Sequence, residues 1–146
     1  MENNKIKVLF LCTGNSARSQ MAQAYLNHLA GDYFEAYSAG LNPSEIHPLT
    51  HQVMNEEEIS LENHSSKHLN QYMGKVHFGY LITVCSDADE NCPSTFPGMG
   101  KRLHWDIEDP AAFNGTDQEK VSKFREIRAE IQSRIRTWIM EKGFEL

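Results

Sequence analysis

Apolar positions along the chain alternate between a period of two and a period near three and a half. From Lys5 to Cys12 the run Lys-Ile-Lys-Val-Leu-Phe-Leu-Cys alternates briefly and then becomes continuously apolar, as expected of a strand covered on both faces in a parallel sheet. The polar stretch Thr13-Gly-Asn-Ser16 follows, and between Ala17 and Ala30 the residues Met21, Ala24, Tyr25 and Leu29 recur at helical spacing until Gly31 closes the helix. Tyr33 to Ala39 predicts a second strand, Gly40 to Pro43 a turn, and Pro48 to about Glu58 a helix with proline in its first turn. Ser65 to Met73 reads as another short helix. Phe78 to Cys85, β-branched and apolar, predicts a third strand, followed by the acidic stretch Ser86 to Pro93. A breaker at Gly98 to Gly100 precedes a fourth strand, Lys101 to Trp105. Beyond the turn Glu108-Asp109-Pro110, a last helix spans Asp117 to about Glu141, where Val121, Phe124, Ile127, Ile131, Ile135 and Trp138 form a core-facing stripe.

Strands alternating with helices imply parallel strands joined by right-handed crossovers: an α/β fold, here a small doubly wound four-stranded sheet of order 2-1-3-4 with helices on both faces. In that order the chain reverses direction between strands 1 and 3, and ligands bind outside the carboxyl ends of the strands there. Neighbouring strands lie about 4.8 Å apart, so Cys12 and Cys85, each closing its strand, are expected close enough for a disulfide after slight loop movement.

The 146 residues suit one domain over the whole of 1–146, and 40% hydrophobic against 23% charged residues, with no biased tract, supplies a core. A net charge of −6 without a basic stripe excludes nucleic acid as a partner. No apolar run approaches the ~18 residues of a membrane span and no cleavage site follows the first strand, so a cytosolic monomer is expected. In a reducing compartment three cysteines point to reactive, metal-binding or buried thiols rather than a disulfide framework.

The segment Cys12-Thr-Gly-Asn-Ser-Ala-Arg18-Ser19 places five residues between cysteine and arginine at a strand-to-helix junction. Such a loop can curl until successive N–H groups point inward, backed by the positive end of the helix, around a tetrahedral oxyanion held by Thr13, Gly14, Asn15, Ser16, Ala17 and Arg18. Gly14 permits the backbone and Asn15 tolerates a left-handed conformation, while Arg18 supplies a planar pair of donors. The same donors, with Ser19 beside the sulfur, are expected to lower the Cys12 thiol and make it a nucleophile. Cys85, Cys92 and His104 match no common zinc pattern, and the pairs His47/His51 and His64/His68 are spaced for a helix surface or chelation. Asp109 before Pro110 is either a turn residue or an acid brought to the same sheet edge.

With Cys12-x5-Arg18-Ser19 at the first strand and Asp109-Pro110 late in the chain, the sequence resembles the low-molecular-weight protein tyrosine phosphatase superfamily over essentially its whole length. Within it, Cys85-Ser-Asp-Ala-Asp-Glu-Asn-Cys92-Pro, Tyr37-Ser-Ala-Gly40, Asn63-His64 and His104-Trp105 resemble the thioredoxin-coupled arsenate reductases. The resemblance implies a phosphatase-I-like fold and a reaction without metal or organic cofactor. In it Cys12 attacks arsenate while Asp109 protonates the departing oxygen. Cys85 then attacks Cys12 and releases arsenite, Cys92 attacks Cys85, and thioredoxin reduces the resulting Cys85–Cys92 disulfide.

Residues seven apart on an intact helix are about 10.5 Å apart, beyond disulfide reach, so the segment from Cys85 to Cys92 has to rearrange. Asp87, Asp89 and Asn91 are poor helix formers and Pro93 blocks continuation, and closing such a loop costs about 2.5 kcal/mol of chain entropy. Some reductases of the family carry a cysteine where this chain has Ala17, and some bind potassium through a glutamate and an aspartate where it has Gln23 and Lys67. The Lys67 ammonium, near Asn15, Ser38 and Ser65, is expected to replace the ion. The rival reading is a phosphatase working through a phosphorylated Cys12. Phosphatases acting on phosphotyrosine usually carry an aromatic residue after the Asp-Pro pair, where this chain has Ala111 and Ala112. A third reading is an oxyanion or redox sensor without turnover.

Overall fold

The computed structural model describes residues 5–85 and 99–144. Cys92 and the acidic segment around it lie outside the described residues. Strands β1 (Ile6–Cys12), β2 (Phe34–Gly40), β3 (Phe78–Thr83) and β4 (Met99–His104) form one sheet of order β2-β1-β3-β4. Every pairing is parallel, as expected, with Cys12 opposite Gly40, Leu11 opposite Thr83 and Thr83 opposite His104. Val8 to Leu11 are fully buried, which is why β1 reads as an unbroken apolar run.

Helices α1 (Arg18–Ala30), α2 (Pro48–Asn55) and α3 (Asp117–Glu141) pack together, α3 lying against both α1 and α2. Of the predicted α3 stripe, Phe124, Ile127, Ile131, Ile135 and Trp138 are buried, while Val121, in the first turns, is only half-buried. Trp138 meets Phe34, Tyr80 and Trp105 at ring separations of 5.2, 5.1 and 6.2 Å, tying β2, β3 and the end of β4 to one helix. A capping box between Thr116 and Glu119 starts α3.

Tyr37, of opposite parity to Phe34 on β2, packs at 5.3 Å against Tyr72, so the chain beyond α2 covers the other face. That cover is not the expected helix over 65–73. Residues 64–67 carry no regular structure, His68 bridges to Gly40, and only Leu69–Gln71 form a 3₁₀ turn. Hydrogen bonds to the loop after β1 hold this segment and override its local preference. His68 caps the 3₁₀ turn, accepting from Asn70 N, and His47 caps α2, accepting from Leu49 N; no helix sets His64 and His68 on one face. Helix α2 also ends earlier than expected, at Asn55.

Candidate active site

The loop from Cys12 to Ala17 owes its shape to the fate of its carbonyl groups. Cys12 O accepts from Leu41 N, Thr13 O from Asn42 N, Gly14 O from Ser44 N and Ser16 O from His47 N, at 2.8 to 3.2 Å. Asn15 O accepts from Gln20 Nε2 and Ser66 Oγ, and Ala17 O from Met21 N. With every carbonyl drawn outward, the N–H groups are left to converge, the arrangement that binds anions. Helix α1 begins with Ala17 at its N-cap and no side-chain cap, so its first N–H groups also remain available.

The left-handed turn falls on Asn15 (φ 51°) and not on Gly14. Asn15 is fully buried and fastened through its side chain as well: Oδ1 accepts from Lys67 N at 2.9 Å and Nδ2 donates to Ser19 Oγ at 2.8 Å. This fixes the amide orientation and leaves the Ser19 hydroxyl hydrogen to point at Cys12 Sγ, 2.9 Å away. The N–H of Asn15 donates to the same sulfur at 3.1 Å. Gly40 closes the arrangement, since a Cβ there would lie 2.5 Å from Thr13 O and 3.0 Å from Asn15 N.

Burial of the Cys12 sulfur pushes its thiol up, and outweighs the Ser19 hydroxyl, the Arg18 guanidinium and the N–H groups of Ser19 and Asn15, all of which draw it down. The sequence expectation of a net lowering is therefore corrected: the donors stand where expected, but enclosure dominates.

Arg18 donates from Nη1 to Ile107 O at 2.9 Å, and its Nη2 lies 3.7 Å from Asp109 Oδ2. Asp109 caps the turn Pro110–Ala112 through Oδ1, accepting from Ala111 N at 3.0 Å, while Oδ2 faces Arg18 at the site. Cys85 follows β3, buried, with Sγ 3.5 Å from Thr13 Oγ1, beside the residue next to Cys12. The topology thus brings Cys12, Thr13, Arg18, Ser19, Cys85 and Asp109 to one sheet edge.

A cavity of about 330 Å³ is lined by Cys12, Thr13, Gly14, Ser16, Ala17 and Arg18, together with Asn42, Ser44, Asp109 and Ala111. A wider groove of about 630 Å³ beyond Ser44, lined by His51, His64 and Ser65 among others, holds no thiol, so the chemistry belongs to the smaller cavity. Asn42 and Ser44 were not anticipated; the signal was the pairing of strands 1 and 2, which lays the turn after Gly40 along the loop after Cys12. Lys67 Nζ donates to Ser65 O at 2.5 Å, and burial pushes its ammonium down. Ser38 Oγ donates to Gln23 Oε1. Among the described residues no group of three or more His, Cys, Asp or Glu is placed to hold a metal ion, and no helix is long and apolar enough to cross a membrane.

This fold and loop define a known class: the chain belongs to the low molecular weight phosphotyrosine protein phosphatase family, whose model matches residues 7–144. Within that class the similarity runs to arsenate reductases. An arsenate reductase of Oceanobacillus iheyensis is 38% identical over 132 residues, covering 90% of this chain and 93% of the relative. A solved arsenate reductase in the phosphate binding state is 26% identical with a TM-score of 0.77, over 93% of this chain and 98% of that one. A thioredoxin-dependent arsenate reductase of Corynebacterium glutamicum is 30% identical with a TM-score of 0.62, over 94% of this chain and 65% of that one.

Proposed function

We propose that this chain reduces arsenate to arsenite through a relay of three thiols, Cys12, Cys85 and Cys92, which thioredoxin returns to the reduced state, the protein acting as a cytosolic monomer. The observation that carries the reading is a second buried thiol, Cys85, set beside an oxyanion loop that closes on the sulfur of Cys12. The names of the relatives support arsenate as the substrate, and the Corynebacterium protein supports thioredoxin as the reductant.

Arsenate enters with its oxygens on the inward N–H groups and Arg18. The Cys12 sulfur attacks arsenic and one arsenic–oxygen bond breaks. The departing oxygen leaves as water with the proton of hydrogen arsenate and the proton lost by Cys12, the latter passed through Asp109. The proton that Cys12 gives up on attack is the one the leaving oxygen needs. Cys85 then attacks Cys12 sulfur; the sulfur–arsenic bond breaks, its electron pair stays on arsenic, and As(V) becomes As(III). Cys92, outside the described residues, displaces Cys12 from the Cys12–Cys85 disulfide, and a thioredoxin dithiol reduces Cys85–Cys92 while being oxidised itself.

The second reading is phosphomonoester hydrolysis, favoured by the family's phosphatase members and by a loop and acid that could form and hydrolyse a phosphorylated Cys12. Arsenate turnover with thioredoxin, thioredoxin reductase and NADPH decides between them. The relay requires loss of turnover in Cys12→Ser, Cys85→Ser and Cys92→Ser alike; no arsenate-dependent NADPH oxidation by the wild type, beside a phosphomonoester hydrolysis that Cys12→Ser abolishes, would make the chain a phosphatase.

A further inference from the structure

The geometry points to Asn42 and Ser44 as the residues that select an oxyanion with a free fourth oxygen over an ester of the same anion, an inference that rests on the proposed function and names how its substrate is told from a phosphomonoester. Both line the cavity that holds Cys12 and Arg18. Their backbones are fixed to the oxyanion loop itself, Asn42 N to Thr13 O at 2.8 Å and Ser44 N to Gly14 O at 2.9 Å, so both side chains are rooted beside it. Ser44 is so close that a Cβ on Gly14 would lie 3.2 Å from its Oγ. Among the described residues neither side chain has a hydrogen-bond partner, which leaves the amide and the hydroxyl to a ligand.

A tetrahedral anion bound for attack by Cys12 turns three oxygens to the loop N–H groups and Arg18. The fourth, opposite the sulfur, points out of the loop to the rest of the lining, which is Asn42, Ser44, Asp109 and Ala111. In inorganic arsenate or phosphate that oxygen is free to donate or accept, and a hydroxyl and an amide can do the converse. In an ester it carries carbon, which neither donates nor accepts, so the hydrogen bonds that Asn42 and Ser44, both exposed at the cavity rim, can make to a free oxygen are lost. Ala111 supplies no ring to repay that loss.

The test is protection of Cys12 from iodoacetamide, followed on the Cys12 peptide by mass spectrometry, with inorganic phosphate and phenylphosphonate as the two probes. Phenylphosphonate keeps three oxygens but has carbon in the fourth position. Asn42→Ala and Ser44→Ala are expected to weaken protection by phosphate about 3- to 10-fold each, the range one hydrogen bond supports, and to change protection by phenylphosphonate less than twofold. Ser44→Thr, which keeps the hydroxyl, should restore phosphate protection. An equal loss for both probes would reduce the pair to scaffolding, and no loss for either would remove them from the site; both results overturn the inference. Protection involves no electron transfer, so it is read whether or not the chain turns over arsenate.

Discussion

Replacing Ser19 by alanine separates two roles of one hydroxyl. Ser19 Oγ is fully enclosed, accepts from Asn15 Nδ2 at 2.8 Å and turns its hydrogen to Cys12 Sγ at 2.9 Å. The substitution leaves the Asn15 amide hydrogen buried without a partner, which costs about 1–3 kcal/mol of folding stability. It also removes a donor to the sulfur. Hydrogen bonds to a charged group are worth about 1.5–3 kcal/mol, so the thiol should rise further and the thiolate fraction below its midpoint should fall about 10- to 100-fold. The measurement is the pH dependence of Cys12 alkylation beside a urea melt of the same variant. Because enclosure pushes the wild-type thiol up, its midpoint is expected above the ordinary ~8.5, with Ser19→Ala higher still and Ser19→Thr near wild type. A fall in stability with an unmoved midpoint would show that Ser19 serves Asn15 alone. A wild-type midpoint below the ordinary value would refute the dominance of burial.

Other positions yield sharper yes-or-no outcomes. Gly40→Ala forces a methyl to 2.5 Å from Thr13 O, and should cost about 1–3 kcal/mol in a denaturant melt while slowing Cys12 chemistry; a neutral result would mean that β2 does not brace the loop. Arg125 and Arg128 hold the Glu56 carboxyl down at about 2. A lowered carboxyl stabilises above its unfolded value near ~4.3 and loses that contribution as pH falls toward about 2, so Glu56→Gln should be less stable than wild type at pH 7 and converge with it in acid; parallel pH curves would argue against the clamp. With the Lys67 ammonium beside Ser65 O, melting temperatures in potassium and sodium chloride at equal concentration should agree, and a rise specific to potassium would show that Lys67 does not replace the ion.

Legibility in the sequence followed locality. The β1-loop-α1 unit could be read because one continuous apolar run, one polar loop and one helical period meet without interruption, and the sheet order then placed Cys85 beside Thr13. Residues 65–73 could not: their structure depends on Gly40 N donating to Lys67 O, on Lys67 N and Ser66 Oγ donating to Asn15, and on the bridge from Gly40 to His68. No local period encodes partners that far away in sequence. Asn42 and Ser44 escaped for a related reason, since strand adjacency says that the turn after β2 passes the loop but not which of its side chains face the cavity. The charge on Cys12 turned on magnitude: the donors could be listed by type, whereas the depth at which the sulfur is enclosed is a property of the folded packing.

The most direct measurement mixes the fully reduced protein with arsenate in the absence of any reductant, quantifies arsenite, and maps the cysteine peptides without reduction. A sulfur relay that ends on the outermost pair predicts arsenite equimolar with the chain, Cys85 joined to Cys92, and Cys12 recovered as a free thiol. Arsenate unchanged with all three cysteines still free would contradict it.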